Sequence, residues 1–150
     1  MIETVYGDIF GVGAEAIVNP VNTVGVMGAG LAKQFKVRYP YSFAKYTESC
    51  LKGTFDIGSL IVVQEEDVVV IMFPTKKHWR NPSRVEYIDA GLETLRRTCE
   101  SVGIGSVAIP ELGCGLGGLD FEKDVRPLVE KHFGDASVRL IVVKYKGEQR

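Results

Sequence analysis

The chain has 150 residues, of which 45% are hydrophobic and 25% charged, a balance typical of one globular domain and not of a disordered chain. No apolar run reaches the roughly 18 residues of a membrane helix, and the first residues do not resemble a signal peptide, so we expect a cytoplasmic protein. The net charge of -1 argues against a broad basic surface for nucleic acid. The three cysteines form no CxxC pair and predict no disulfide framework, and with only two histidines the sequence predicts no metal site.

Strands and helices alternate along the sequence. β-branched apolar segments predict strands at residues 2–5, 16–19, 60–63, 68–73, 107–109 and 140–143. Apolar residues at helical spacing predict helices at residues 31–39, 43–53, 83–102 and 120–133. This order predicts a single α/β domain over residues 1–150, with helices on both faces of the sheet. We expect no cofactor, and a monomer is the default expectation.

Three details of the helices follow from local patterns. In the first helix, Leu31, Phe35 and Val37 are expected to face inward. The third helix is expected to begin with a capping box formed by Ser83 and Glu86. In the last, Asp120 is the expected N-cap, and Pro127 is expected to kink the helix or to mark its true start.

Two glycine-rich loops each connect a strand to a helix. The first, residues 19–31, brings the amides of Gly28 to Leu31 to a helix start, where an anion is favoured. The second, residues 113–120, has four glycines in six residues, which suits a loop whose amides face a diphosphate. Each could instead be a packing turn, but together they favour one extended diphosphate ligand. Cys114 could be a nucleophile, but a small packing residue is the preferred interpretation.

Two further segments could contact a ligand. Asp8 follows the first strand and could accept hydrogen bonds from an exocyclic amine, or simply cap a turn. Residues 73–84 contain four Lys/Arg residues and the only tryptophan. Basic residues around an aromatic can bind a phosphate backbone while stacking a base, although most basic runs are only solvated loops.

The sequence resembles the macrodomain family over nearly its whole length. The matching pieces are GDIF at residues 7–10, AIVNPVNTVGVMGAGLAKQF at 16–35 and IPELGCGLGGLD at 109–120. FPTKKHW and GCGLGGLD are most similar to DarG-type DNA ADP-ribosyl glycohydrolase antitoxins, in a branch that also holds terminal ADP-ribose protein glycohydrolase. The resemblance implies a three-layer α/β/α fold around a mixed, mostly parallel sheet, with ADP-ribose in a cleft at its end.

Carried over by position, the resemblance also implies site residues. Asp8 and Ile9 would hold the adenine, and Asn22, Gly28, Ala29 and Gly30 would lie at the distal ribose. The diphosphate would be wrapped by Gly113, Cys114, Gly115, Leu116, Gly117, Gly118 and Leu119. Lys76 would be the catalytic lysine, with Lys77 the neighbour most easily confused with it. From the basic segment itself, and not from the resemblance, we expect His78, Trp79 and Arg80 to contact single-stranded DNA.

One departure from the branch bears on the substrate. The protein-directed enzymes carry an aspartate where this chain has Gly117, whereas the DarG-type enzymes share the glycine. The resemblance therefore implies removal of ADP-ribose from thymidine in single-stranded DNA, as part of a toxin–antitoxin pair with a DNA ADP-ribosyltransferase and of DNA repair. The alternatives are hydrolysis of protein-linked or O-acetyl ADP-ribose and a non-catalytic reader of ADP-ribose.

The lysine could act in two ways. Protonated, it could stabilise the departing base; neutral, it could attack the sugar carbon and form a Schiff base. The second role needs a depressed pKa, to which Lys77 and Arg80 could contribute by charge repulsion. The sequence leaves both open.

Overall fold

A computed structural model describes residues 1–145 of the chain, which form one six-stranded sheet covered by helices. The strands are β1 (Ile2–Tyr6), β2 (Ala16–Asn22), β3 (Ile61–Gln64), β4 (Val69–Lys76), β5 (Ser106–Ile109) and β6 (Arg139–Lys144). The helices are α1 (Gly30–Arg38), α2 (Pro40–Leu51), α3 (Val85–Val102) and α4 (Arg126–Phe133). Residues 146–150 of the predicted domain lie outside the described part.

The sheet has the order β1-β6-β5-β2-β4-β3. All neighbouring pairs are parallel except β3 and β4, which are antiparallel and close one edge. Parallel strands need crossover connections, and the helices provide them. The predicted mixed, mostly parallel sheet is confirmed.

Alternating side chains of the central strands build two apolar layers. Ile71 and Phe73 of β4 face one cluster with α3 and α4, whereas Val70 and Met72 face a second cluster with α1 and α2. Both clusters are buried because an internal parallel strand has no solvent face. The predicted three-layer α/β/α arrangement is confirmed. Within the described part of the chain, no helix is long and apolar enough to cross a membrane.

Two local predictions were wrong. The capping box is absent, because Arg84 occupies the N-cap of α3 with no side-chain hydrogen bond and the Ser83 amide donates to Gly117 instead. Val37 is 75% exposed, whereas Phe35 on the same helix is buried, so the apolar face of α1 is narrower than its sequence suggested.

Other local predictions were confirmed. Asp120 accepts a hydrogen bond from the Lys123 amide at 2.9 Å and caps the π-helical turn Phe121–Val125, after which α4 begins one residue before Pro127. The apolar pattern predicted for α3 is buried at Ile88, Leu92, Leu95 and Cys99, whereas its first and last positions, Val85 and Val102, are exposed. Gly103 ends that helix in a left-handed conformation, as predicted.

Close packing joins α3 to β4 beneath the strand's carboxyl end. Gly91 of α3 lies against the fully buried ring of Phe73. A Cβ at Gly91 would stand 2.5 Å from Phe73 Cε1, well inside van der Waals contact. The glycine therefore sets how closely the helix approaches the strand that leads to Lys76.

We expect Gly91→Ala to lower the free energy of unfolding by about 1–3 kcal/mol, the usual cost of overpacking a core. This loss would appear although alanine in an exposed helix gains about 1 kcal/mol over glycine. Denaturant unfolding measures it, and the same substitution in a Phe73→Leu background is the matched control. An equal loss in both backgrounds would contradict the packing argument, because the ring would then not be the cause.

Candidate functional site

A cleft opens at the carboxyl ends of the central strands because β2 and β5 separate early. They pair only at Ala16 with Val107 and Ile17 with Ala108, whereas β2 and β4 pair at seven positions. Beyond this point Pro20 and Pro110 line the cleft, and neither can donate a ladder hydrogen bond. The loop after β2 leads to α1 on one face and the loop after β5 leads to α4 on the other, the arrangement in which α/β sheets bind ligands.

The cleft has a volume of about 700 Å³, within the range of small-molecule sites. Both glycine-rich loops, the end of β4 and the segment before α3 contribute to its walls. The predicted residues that line it are Asn22, Gly28, Ala29, Gly30, Lys76, Gly113, Cys114, Gly115, Leu116 and Gly117.

The first loop is shaped by the side chain of Asn22. Its Oδ1 accepts hydrogen bonds from the amides of Val24, Gly25 and Val26, and its Nδ2 donates to the Val26 carbonyl at 2.8 Å. The buried Tyr46 hydroxyl donates to Asn22 as well, at 2.8 Å from both Oδ1 and the carbonyl oxygen. Burial raises the pKa of Tyr46 far above its usual range, so this donor stays protonated. Asn22 thus organises the loop that leads to α1.

The start of α1 faces the cleft. Gly30, Leu31 and Ala32 are the first residues of α1 and line the cavity, while the preceding Ala29 provides no side-chain cap. The first amides of a helix have no partner within it, and the helix dipole adds positive potential there. This wall can therefore accept an anion.

The second loop wraps the opposite wall in a 3₁₀ turn, Gly115–Gly117. Gly113, Gly115 and Gly118 have φ between 66° and 86°, the left-handed region that favours glycine. The loop is anchored at its middle, where the Ser83 amide donates to the Gly117 carbonyl at 2.9 Å. Its path brings Gly113, Cys114, Gly115, Leu116 and Gly117 to the cavity, and three of these five residues have no side chain.

Lys76 ends β4 at a β-bulge. Val21 pairs with Pro74 and Asn22 with Lys76, so Thr75 is an extra residue on β4. A bulge redirects the side chain that follows it. Lys76 lines the cleft, half-buried, and its Nζ donates to the Trp79 carbonyl at 3.1 Å. Burial lowers the pKa of Lys76; no contribution from Lys77 or Arg80 is needed.

The segment after Lys76 connects the two loops. The Lys77 carbonyl accepts from the Thr23 amide at 3.0 Å and from the Thr23 hydroxyl at 2.9 Å, which holds the first loop. The Ser83–Gly117 bond holds the second loop. The lysine is therefore positioned by the same segment that fixes both glycine-rich walls.

The basic segment stacks its own side chains at the surface. Trp79 is 46% exposed, with the Arg80 guanidinium 4.6 Å from its ring centroid and the His78 ring 5.2 Å away. His78 Nδ1 accepts from the Arg80 amide at 3.1 Å, which fixes the turn. An exposed indole backed by a cation is a platform on which a base can stack.

Four of the predicted ADP-ribose-binding residues lie outside the cleft lining. They are Asp8, Ile9, Gly118 and Leu119. Asp8 is exposed and caps a 3₁₀ turn by accepting from the Phe10 amide at 3.0 Å, which leaves carboxylate acceptor capacity for another donor. The Cys114 Sγ lies 3.5 Å from the Leu112 carbonyl, in keeping with a packing role. The ligand contacts of Asp8, Ile9, Gly118 and Leu119 remain predictions.

Thr75, Ser83 and Glu111 are among the cleft residues that sequence reasoning did not assign to the site. Thr75 forms the bulge, Ser83 lies beneath the glycine-rich loop, and Glu111 lines the cleft while paired with Lys144 at 3.3 Å. A bulge and a long-range contact leave no mark in local periodicity, whereas the IPEL piece of the sequence did contain Glu111.

Comparisons with known proteins place these features in a family. The Macro domain family model matches residues 18–127. DNA ADP-ribosyl glycohydrolase of Mycobacterium tuberculosis is 50% identical over 127 residues, which cover 82% of this chain but 36% of that protein. This chain therefore spans little more than a third of that curated relative.

Solved structures agree. The macrodomain of Mycobacterium tuberculosis DarG superimposes with a TM-score of 0.89 at 46% identity, over 95% of this chain and 97% of the other. Thermosipho africanus DarTG in complex with ADP-ribose gives a TM-score of 0.86 at 31% identity, over 99% of this chain and 43% of that one. The chain belongs to the Macro domain family.

Proposed function

We propose that this chain binds ADP-ribose in the cleft and removes it from thymidine bases of single-stranded DNA. The observation that carries the proposal is the position of Lys76, half-buried between two glycine-rich walls and followed directly by the exposed Trp79 platform. Relatives that bear the name DNA ADP-ribosyl glycohydrolase support the same activity.

The walls suit the diphosphate of ADP-ribose. The helix-start amides of α1 lie on one side and the 3₁₀ turn of the second loop on the other. Such amides bind phosphate oxygens without a cationic side chain. The complex of Thermosipho africanus DarTG with ADP-ribose supports this ligand. In this arrangement Asp8 and the backbone of Ile9 hold the adenine.

The basic segment favours a nucleic acid over a small metabolite as the carrier of ADP-ribose. Trp79 and Arg80 are exposed beside the residue that would act on the glycosidic bond. A base next to the modified thymidine can stack on the indole, with its phosphate near Arg80 and His78. An O-acetyl ADP-ribose substrate would leave this platform without a use.

The chemistry is assigned to a neutral Lys76. Breaking the bond between the base nitrogen and the ribose anomeric carbon leaves an electron-poor sugar, which the amine can attack. Burial favours the neutral amine because it destabilises the ammonium form. The amine nitrogen bonds to the anomeric carbon as the base nitrogen leaves with the electron pair of the glycosidic bond, and a proton lost from the amine neutralises the base. The bond between the anomeric carbon and the ring oxygen then breaks to give an imine, and addition of water to the imine releases ADP-ribose and restores the lysine.

A DNA ADP-ribosyltransferase toxin is the proposed partner. The relative from Thermosipho africanus is named as a fusion of a DNA ADP-ribosyl transferase and a DNA ADP-ribosyl glycohydrolase. A transferase that forms the bond between ADP-ribose and a DNA base and a hydrolase that breaks the same bond would oppose each other. This chain would then reverse the modification in the cytoplasm.

Lys76→Ala should lower the rate of ADP-ribose release from a thymidine-modified oligonucleotide by at least about 100-fold, because a group that acts at the reacting bond contributes on this scale. Lys77→Ala is the matched control and should retain the rate within about threefold, since Lys77 contributes a main-chain carbonyl to the fold. Release of unmodified DNA is followed by chromatography. Full activity of Lys76→Ala would refute the assignment, and a wild type that binds ADP-ribose without turnover would indicate a reader.

The pH dependence should report the lysine. If the neutral amine reacts, kcat/KM rises with pH and levels off below the usual lysine pKa of about 10.4, because burial lowers the pKa of Lys76. Borohydride added during turnover should attach ADP-ribose to the wild type and not to Lys76→Ala. A rate that falls as pH rises through this range would instead assign a protonated lysine to the step.

Trp79→Ala should weaken binding of modified single-stranded DNA by about tenfold or more, since one stacked base contributes about 1–3 kcal/mol. Affinity for free ADP-ribose should change little. Binding is measured in a Lys76→Ala background, which preserves the substrate, and Tyr41→Ala removes an exposed aromatic away from the cleft as the control. Equal losses for DNA and ADP-ribose would show that the indole is structural.

A further inference from the structure

Ser83 combines burial with an unused hydroxyl. It is 6% exposed and lines the cleft at the segment between β4 and α3. Its Oγ is sealed from solvent and has no hydrogen-bond partner among residues 1–145. The amide of the same residue is bonded to Gly117, so the side chain is held at a fixed place against the glycine-rich loop.

An unpartnered buried hydroxyl costs the folded protein stability. It has lost its hydrogen bonds to water and gained none in return, and alanine at such a position is neutral or stabilising. A residue that destabilises the free protein at a cavity wall requires an explanation, and a missing ligand is one.

The cover over this hydroxyl is the main chain of the second glycine-rich loop. A Cβ at Gly117 would stand 2.5 Å from Ser83 Oγ, and a Cβ at Gly113 would stand 3.3 Å from Ser83 Cβ. The Gly117 amide donates to the Cys114 carbonyl at 3.4 Å, a long bond compared with 2.9 Å for the Ser83–Gly117 bond. A rotation of the Gly117 amide that breaks only this long bond, with the Gly117 carbonyl still on the Ser83 amide, would uncover the hydroxyl toward the cleft.

We propose that Ser83 is a ligand-binding residue whose hydroxyl donates a hydrogen bond to a diphosphate oxygen of bound ADP-ribose. The inference rests on the proposed binding of ADP-ribose in this cleft. The two glycines that abut Ser83 belong to the loop assigned to the diphosphate, so an oxygen held by that loop lies next to the hydroxyl once Gly117 shifts. The ligand then satisfies the donor that the free protein leaves unused.

Ser42 provides a matched control. It is 2% exposed, and its hydroxyl and amide both donate to the Glu65 carboxylate. Ser42 lies on α2 and is not among the residues that line the cleft. The two serines are thus both buried but differ in whether the hydroxyl has a hydrogen-bond partner in the described structure.

The experiment compares Ser83→Ala and Ser42→Ala with wild type by denaturant unfolding and by calorimetric titration with ADP-ribose. Ser83→Ala should keep or raise the stability of the free protein and weaken ADP-ribose binding by about tenfold. Ser42→Ala should show the reverse, with lower stability and unchanged affinity, because it removes a partnered hydroxyl remote from the ligand.

Two results would overturn the inference. Wild-type affinity in Ser83→Ala would show that the hydroxyl does not contact the ligand. A loss of stability as large as that of Ser42→Ala would show that the hydroxyl has a structural partner. If the wild type does not bind ADP-ribose, the proposed function fails and the Ser83 contact fails with it. If the wild type binds ADP-ribose and Ser83→Ala binds it equally well, only the Ser83 contact fails, so the two failures are distinguishable.

Discussion

The short pairing of β2 with β5 is the constraint on which the cleft depends. After Ile17 and Ala108 the two strands diverge, and β2 continues beside β4 alone as far as Asn22. Had β5 continued along β2, a closed ladder would occupy the space that now holds about 700 Å³ of cavity. Pro20 and Pro110 make that continuation unfavourable, because each lacks the amide that a ladder needs. The cleft thus lies where the pairing of β2 with β5 ends, with helices beside it on opposite faces of the sheet.

β4 leads from the packed core of the sheet to Lys76, the proposed catalytic residue, at the cleft. Close packing of Phe73 on Gly91 fixes the strand against α3, and the bulge at Thr75 then redirects Lys76 into the opening. The segment that follows is bonded to both glycine-rich loops through Thr23 and Gly117. Because one continuous segment holds the lysine and both walls, a shift of the second glycine-rich loop would also displace the amine. Positioning of a reacting group in this way can contribute a large part of the rate of an active site.

Local pattern was sufficient for the elements and the loops, and insufficient for the contacts between them. The apolar run at residues 68–73 and the helical spacing from Ile88 to Cys99 both record which side chains are buried. Such patterns lie within a short stretch of sequence and can therefore be read without the fold. The capping box failed for the opposite reason: Ser83 matches the local motif, but its amide is taken by Gly117, 34 positions further on. The glycines and Lys76 of the cleft were predicted through resemblance and glycine content. The bulge that aims Lys76 has no sequence pattern of its own.

Ser83 and Gly117 together also restrict which ionisable groups can face the ligand. Any side chain at 117 would meet Ser83, with Cβ–Oγ and Cβ–Cβ separations of 2.5 and 3.1 Å, so a carboxylate cannot be added there without displacing the serine. In the proposed reaction the thymine leaves with negative charge, and a carboxylate beside it would oppose that charge whereas an amide-lined wall would not. Glu111, the acidic residue that does line the cleft, is paired with Lys144. In the proposed function, the wall opposite α1 would therefore offer an anion main-chain amides and a neutral hydroxyl in place of a carboxylate, which suits departure of a base better than hydrolysis assisted by an acid.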